Sequence, residues 1–501
     1  MISGAFLQGR LSPAVAKTSL PLLAALGVAA LMTGDLYTVV VGTLIALATL
    51  GLVLLPLTWS VPLLVFCAPF RFYITYPGTQ LDVALTNFVV VGLGFTCVAS
   101  ALMGDRPRLL GWERAIAAWV GWTILSIAWT SGLIASLRGV FQWLMVFSGI
   151  VASALCVTRA ADPAGAVRRL LTALLALVAV WSLIGFLQVA LGLDRILGFL
   201  ASPGGAVFYA PGLVEGRLPT MGFNWRSGTE IQPFGPFLNA IEFGIFTAVG
   251  VGAAVAMAVG RLWLGPRWLV WLALVLATAA NVACLKATGW VAAAVAIAVA
   301  FVTVGRSIRR VLAVSFAAVA LFAVLLWVFR EDVTLRLQDL AAREGTTGAT
   351  AEAISRPAIW LSYLDAARTR PLVGLGVASS IQYGPVHWTR APTGNMVAGQ
   401  LPTENSYLTT LIETGVVGLA LLLLTLGGAF VRGVRLSRRY PADPLAQGAG
   451  VAAIGIAALL AGNMTVDAFN GEILGVIQGV LVGIVVAAVR LVPMARKAAT
   501  P

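Results

Sequence analysis

The residues best suited to chemistry lie where a long polar segment enters an apolar one, around Glu404. Its carboxylate can act as a general base on a hydroxyl. We expect Thr403 to cap a helix with Glu404 and Asn405 in the first turn, where free backbone N–H groups attract an anion. An acid in a first turn is also ordinary capping, so Glu404 alone does not separate catalysis from helix stabilisation. Tyr407 follows, and Glu413 lies two turns deeper, where a carboxylate is costly and usually paired or functional.

Three cations could bind an anion near this point. Arg356 stands at the start of a helical pattern, where its charge opposes the helix dipole. An anion there would be stabilised by both the dipole and the guanidinium fork. The alternative for Arg356 is a solvated loop arginine that pairs with Glu352. Arg226 lies in an earlier polar segment, and Lys286 lies in a tight hairpin between apolar segments, where a lysine commonly extends to the interface.

Other polar residues border the apolar segments. Asn239 and Glu242 enter the segment at 236–260 and need polar partners or a water-filled cavity. His387 is the only histidine of the chain. A lone histidine makes no metal site without help, and the long polar segments contain no Asp-x-Asp pair. We therefore expect chemistry without a metal ion or other cofactor.

Apolar helices must position these residues. Hydrophobic residues make up 59% of the chain and charged residues 11%, against about 25% charged in soluble domains. Apolar stretches long enough to span a bilayer recur along the chain, which predicts an all-α, polytopic transmembrane bundle with 12–14 spans. We place the spans at 18–33, 36–54, 57–71, 82–103, 114–130, 134–157, 170–192, 236–260, 266–284, 288–304, 311–329, 405–431, 446–464 and 472–490.

The basic residues predict the orientation of the bundle. Arg and Lys concentrate in one set of short loops, which places those loops and both termini in the cytoplasm. The net charge of +13 thus reflects membrane topology and not nucleic-acid binding. These loops are too short for a nucleotide-binding domain, so energy or activated substrate must arrive on a lipid carrier or through an ion gradient.

The predicted topology divides the chain into five regions. Helical regions are expected at 1–192, 236–329 and 405–501, and extracytoplasmic loops at 193–235 and 330–404. The second loop is long, rich in balanced charge and typical of a functional segment. Within it Ser355 is a plausible N-cap of an amphipathic helix on the membrane surface. Its apolar residues at helical spacing are Ile354, Ala358, Leu361, Trp360, Leu364 and Ala367.

Six motifs follow one another between 235 and 418. They are Gly235-Pro236-Phe237-Leu238-Asn239, Lys286-Ala287-Thr288-Gly289, Ser355-Arg356 with Trp360, Pro371-Leu372-Val373-Gly374-Leu375-Gly376, Glu404-Asn405-Ser406-Tyr407-Leu408 and Glu413-Thr414-Gly415-Val416-Val417-Gly418. In this order they resemble the O-antigen ligase and polymerase family. Two positions depart from the family pattern: Glu404 stands where the family has histidine, and Lys286 stands near the arginine of a Ser-Arg-Gly motif.

The resemblance implies a bacterial cytoplasmic-membrane enzyme that works on the extracytoplasmic face. Members of the family transfer a glycan from a polyprenyl-diphosphate donor to a glycan or lipid-linked acceptor, in some pathways with a chain-length regulator. Arg356, Arg226 and Lys286 would stabilise the leaving diphosphate.

The roles of the remaining site residues follow from the same resemblance. Glu404 would be the base; if Glu404 instead orients the acceptor, His387 becomes the base. Acceptor-orienting roles would fall to the polar residues at the two helix entries, which are Asn405, Tyr407, Asn239, Glu242 and Glu413.

Two alternatives stay open at this point. Because Glu404 replaces the histidine of the family, both a polysaccharide polymerase and a ligase with an unusual acceptor stay open. The rival class is a transporter, either a lipid-linked glycan flippase or an anion carrier. Arg138, inside the predicted span 134–157, favours a pathway through the membrane. The absence of a visible inverted repeat and the clustering of polar residues at one face favour the transferase.

Overall fold

The computed structural model describes part of the chain. The described residues are 55–70, 73–75, 82–84, 90–94, 112–130, 132–200, 202, 205, 232–237, 239–260, 264–304, 356–383, 386–390, 396–400, 403–466 and 472–499. The predicted spans 18–33, 36–54 and 311–329, together with Ser355 and Arg226, lie outside them.

The described part is built from helices. They are α1 (Leu57–Cys67), α2 (Glu113–Leu125), α3 (Leu133–Thr158), α4 (Pro163–Leu200), α5 (Ala240–Gly260), α6 (Arg267–Ala283), α7 (Ala287–Val304), α8 (Arg356–Arg368), α9 (Ser406–Arg439), α10 (Pro444–Gly462) and α11 (Glu472–Ala499). Short strands form two antiparallel hairpins, β1 (Tyr73–Thr75) with β2 (Asp82–Ala84) and β3 (Val386–Arg390) with β4 (Met396–Gln400).

The predicted fold class is confirmed, with local corrections. Seven helices of the described part are long and apolar enough to cross a membrane, and α1 and α6 are shorter apolar helices. The prediction of a span from residue 82 is wrong at its start, because 82–84 pair with β1 in a hairpin. Residues 193–200, expected to be loop, continue as helix beyond a break at Gly192. The span total of 12–14 stays a prediction.

Small residues let the helix backbones approach closely. Gly149 of α3 faces Gly479 of α11, and a Cβ at Gly479 would lie 3.0 Å from the Cα of Gly149. Gly244 of α5 faces Gly289 of α7 in the same way, at 3.2 Å. Lipid is as apolar as the helix surfaces, so the hydrophobic effect does not drive helices together within the membrane. Close glycine contacts of this kind favour helix association there through van der Waals packing. They fix the bundle that carries the polar motifs.

The bundle has two polar ends. At one end Arg490 pairs with the buried Glu113, with Nε to Oε1 at 2.8 Å. The Arg432 guanidinium lies 4.9 Å from the Trp112 ring centroid nearby. We call this the basic end, since it carries the arginine-rich loops. α9 runs 34 residues from the opposite end, which we call the motif end because Asn405 and the other motifs lie there. That the basic end faces the cytoplasm stays a prediction.

Helix α8 is present where an amphipathic helix was expected, but it packs on protein. Ile359, Tyr363 and Ala367 are buried against α9, in a cluster with Leu408 and Ile412. Leu361, predicted to lie on the apolar face, is 62% exposed. The helix therefore docks one face on the bundle and leaves a second apolar face uncovered.

Candidate functional site

The centre of the motif end is a break in α9. Gly415 has φ 69° and ψ −174°, which is non-helical backbone that favours glycine. The break frees carbonyl and amide groups, and these must find partners in a membrane-embedded protein. The segment 371–376 and Trp122 supply them. The bonds run from Leu375 N to Ile412 O (2.8 Å), Gly376 N to Glu413 O (2.9 Å), Trp122 Nε1 to Thr414 O (2.9 Å), Val416 N to Pro371 O (2.8 Å) and Val417 N to Leu372 O (3.3 Å).

Two motifs are therefore one structural unit. A Cβ at Gly374, which has φ 74°, would lie 2.5 Å from the Glu413 carbonyl, so the segment 371–376 needs glycine to reach the break. Glu413 itself is buried, and Ser380 Oγ donates to its carboxylate at 2.7 Å. The structure thus places Glu413 inside the protein, fastening the long loop to α9.

The entry to α9 differs from the expected cap. Asn405, not Thr403, is the N-cap: its Oδ1 accepts from Tyr407 N (3.0 Å) and Leu408 N (3.1 Å). Glu404 precedes the helix and is not in its first turn. The Thr403 hydroxyl bonds that of Thr409 at 2.5 Å. Asparagine is as good a cap as aspartate or serine, so Asn405 fixes the backbone next to Glu404.

Glu404 has strained backbone. Its φ of 48° is left-handed, and its side chain is half-buried. Such conformations cost about 1–3 kcal/mol in a residue with a side chain and cluster at active sites. Leu285, directly before Lys286, has φ 50°, and Ala378, close to Ser380, has φ 59°. All the left-handed non-glycine residues in the described ranges thus lie at the motif end.

The turn 463–466 joins the α9 entry to the Lys286 hairpin. Ser406 Oγ donates to Asn463 Oδ1 at 2.7 Å, and Ser406 N donates to the carbonyls of Asn463 and Val466. On the other side of the turn, the Thr465 hydroxyl bonds that of Thr288. Lys286, half-buried, lies two residues before Thr288 in the hairpin between α6 and α7, as predicted. The turn therefore brings Glu404 and Lys286 to one region.

Helix α5 is tied to the same hairpin. Asn281 Nδ2 donates to Gly244 O (2.7 Å) and lies 3.2 Å from Gly289 O. At the start of α5, Asn239 Oδ1 accepts from Ile241 N at 2.9 Å. Glu242 is half-buried in the first turn. Asn239 and Glu242 therefore sit at the motif end, with Asn239 serving as a helix cap.

The end of the first long loop is also held in place. Gly235, with φ 54°, gives its N–H to Gln188 Oε1 (2.9 Å) and its carbonyl accepts from Gln188 Nε2 (3.0 Å). The buried Cys284 thiol lies 3.6 Å from the Pro233 carbonyl oxygen. A buried neutral thiol packs as a small apolar group.

The remaining predicted residues lie around the α9 entry. Arg356 opens α8 one turn before Trp360, whose indole Nε1 donates to Thr403 O at 2.9 Å. That places the backbone of Arg356 near Glu404. His387 lies in β3 and pairs with Gly399 of β4. Gly399 is five residues before Glu404 in the chain. Tyr407 is committed to the bundle, since its hydroxyl donates to Leu460 O at 2.6 Å.

Sequence reasoning missed several residues that build the site. The parts of the site are held together by hydrogen bonds of Asn463, Thr465, Asn281 and Gln188. All four residues lie within or at the end of apolar segments. Their polarity in such segments was the available signal. Within the described ranges, no group of three or more His, Cys, Asp and Glu side chains could hold a metal ion. Independence from metals stays a prediction.

The fold and these contacts define a multi-pass helical membrane protein with its polar motifs gathered at one end. Residues 272–423 match the family model described as O-Antigen ligase. This match agrees, for the matched segment, with the resemblance to the O-antigen ligase and polymerase family that the motifs predicted. The segment spans less than a third of the chain and includes Lys286, α8, the α9 entry and the break, but not Arg226, Asn239 or Glu242. No curated protein matches the chain.

Proposed function

We propose that the motif end transfers a glycan from a polyprenyl-diphosphate donor to a sugar hydroxyl, without a metal ion, on the extracytoplasmic face of the bacterial cytoplasmic membrane. The family match supports a role in polysaccharide assembly. The observation that carries the finer proposal is the strained, half-buried Glu404, joined to Lys286 through the turn 463–466 and lying near the start of α8. A carboxylate with the Lys286 cation in the same region suits a reaction that deprotonates a hydroxyl and releases a diphosphate.

The proposed step has one bond forming and one breaking. The acceptor oxygen attacks the anomeric carbon of the donor sugar, and the bond from that carbon to the diphosphate oxygen breaks. Glu404 takes the hydroxyl proton, and the electron pair leaves on the lipid diphosphate. Arg356, Arg226 and Lys286 stabilise the charge of the leaving group. If Glu404 orients the acceptor, His387 takes the proton instead.

Residues around these groups would position the acceptor. Asn405 holds the backbone at Glu404 through its cap, and Asn239 does the same at the start of α5. Glu242 is half-buried beside that start. Tyr407 and Glu413 act through the bundle, because their polar atoms bond Leu460 and Ser380. We assign these two residues positioning roles.

Polymerase and ligase differ only in the acceptor. A growing lipid-linked chain would make the protein a polymerase, and a lipid A core would make it a ligase. The transporter alternative draws least support: Arg138, its main sequence feature, is exposed near the first turn of α3 and not at mid-helix. Transporters place ionisable groups near the midplane of the bundle.

Charge reversal at Arg356 should abolish product formation. Removing one group that stabilises transition-state charge costs about 10²–10³ in rate, and a carboxylate beside the diphosphate adds repulsion. We expect Arg356→Glu to lower the amount of lipid-linked polymer, read on a gel, at least a hundredfold. The amount of protein should be unchanged. Arg368 ends the same helix, its side chain is 78% exposed, and it pairs with the exposed Asp365 at 2.7 Å. Arg368→Glu should therefore stay within about twofold of wild type. Wild-type yield from Arg356→Glu would contradict the role of Arg356 in binding the diphosphate. An equal loss of product in Arg356→Glu and Arg368→Glu would contradict it as well.

A further inference from the structure

A cavity lies at the basic end, far from the motif end. It is bounded by α1, the first turns of α4 and the turn before α6, and its volume is about 770 Å³. The residues that line the cavity include Trp59, Leu63, Phe66, Arg168, Arg169 and Ala176. The Lys286 hairpin is at the other end of α6 from the Gly265 turn that bounds the cavity. The cavity is therefore separate from the candidate active site.

The mouth of the cavity is cationic. Arg169 stacks over Trp59, with Cζ 5.2 Å from the ring centroid, and its buried Nε has no hydrogen-bond partner among the described residues. Arg168 beside it is exposed. No acid is among the described residues that line the cavity. The acid nearest to the two arginines in the chain is Asp162, directly before α4; its Oδ1 accepts from Gly165 N at 2.9 Å and so caps the helix. No acid of the described residues therefore pairs with either guanidinium group, and both can donate to an anion.

The depth of the cavity is apolar. Leu63, Phe66 and Ala176 continue from the arginines along α1 and α4 toward the middle of the bundle. Trp59 is 58% exposed and Leu63 is 44% exposed, so the cavity opens sideways where a membrane protein meets lipid. A free phosphate would bind the two arginines and make no contact with this apolar wall. A lipid would bind the arginines with its headgroup and contact the wall with an acyl chain.

We propose that this cavity binds one anionic glycerophospholipid, with its phosphate on Arg168 and Arg169 and an acyl chain along Leu63, Phe66 and Ala176. Basic pockets between helices near a membrane face bind anionic headgroups elsewhere. The Trp59 ring holds the Arg169 side chain and so orders the donor before the lipid arrives. Bound lipid would clamp α1 to α4 and stabilise the basic end.

Melting of the purified protein in detergent with added lipid tests the proposal. A ligand that binds only the folded state raises the melting temperature. Phosphatidylglycerol should raise it for wild type, and phosphatidylcholine should raise it less. The Arg168→Gln/Arg169→Gln double variant should lose the phosphatidylglycerol effect, with at least tenfold weaker retention of that lipid in native mass spectrometry.

Matched variants keep the test decisive. Arg438 and Arg439 are also adjacent, exposed arginines at the basic end, outside the cavity, so Arg438→Gln/Arg439→Gln should respond as wild type does. If the first double variant folds poorly, Ala176→Leu keeps both arginines, fills the apolar wall and should reduce the lipid effect. An equal response of both double variants would overturn the proposal. So would equal effects of phosphatidylcholine, or full replacement of the lipid by inorganic phosphate.

Discussion

Glu404→Gln should lower glycan transfer by about 10²–10⁴, the usual contribution of a general base. Glutamine matches the shape of glutamate, and its free-energy cost in the left-handed backbone conformation at φ 48° is the same. The fold should therefore be unchanged. The melting temperature in detergent should therefore match that of wild type. Turnover is measured as lipid diphosphate released per enzyme, at saturating donor and acceptor.

His387→Gln and Glu404→Gly complete this experiment. If Glu404 is the base, His387→Gln keeps most of the activity. Glu404→Gly removes the backbone strain together with the carboxylate, so it should melt no lower than wild type and still be inactive. Wild-type turnover in Glu404→Gln, with a large loss in His387→Gln, would transfer the role of base to His387. Wild-type turnover in both variants would contradict the proposed mechanism.

Gly415→Ala should have the largest effect on stability. A Cβ at Gly415 would collide with the Leu372 carbonyl, which is part of the backbone and cannot rotate away. The left-handed conformation adds about 1–2 kcal/mol, and overpacking adds about 1–3 kcal/mol. We expect a loss of about 2–5 kcal/mol in the free energy of unfolding, seen as a lower melting temperature and less monodisperse protein. Activity should fall as well, because the break positions the long loop.

Gly427→Ala is the matched control in the same helix. A Cβ at Gly427 would have no neighbour within 4 Å, and alanine is the better helix former. This variant should keep both the melting temperature and the activity of wild type. Equal destabilisation by the two substitutions would mean that α9 does not tolerate alanine in general. The break at Gly415 would then have no special part in the fold.

Much of the fold follows from sequence because apolar length is a strong signal. Helices α3, α7 and α9 begin within a residue of their predicted spans, since membrane helices must satisfy all backbone groups internally. The start at residue 82 was wrong because short apolar runs fit both a strand and a helix. The continuation past Gly192 was missed because a glycine with charged residues shortly after it, here Asp194 and Arg195, also ends helices.

The site was harder to predict than the helices. Glu404 and Lys286 were found because charges are rare at such positions, but their connection through Asn463 and Thr465 depends on contacts between distant segments. Glu413 was expected to serve the substrate, and the structure shows it bonded to Ser380 inside the protein. The pattern that contains Gly415 gave no sign of a helix break, because glycine is common within membrane helices.

The most direct test of the account is turnover of a polyprenyl-diphosphate-linked repeat unit by the purified protein, with and without a chelator. We expect release of the lipid diphosphate whether or not chelator is present. Longer lipid-linked chains would identify a polymerase, and product only with a lipid A core acceptor would identify a ligase. No diphosphate release with either acceptor, together with movement of the donor across proteoliposomes, would contradict the account and favour a transporter.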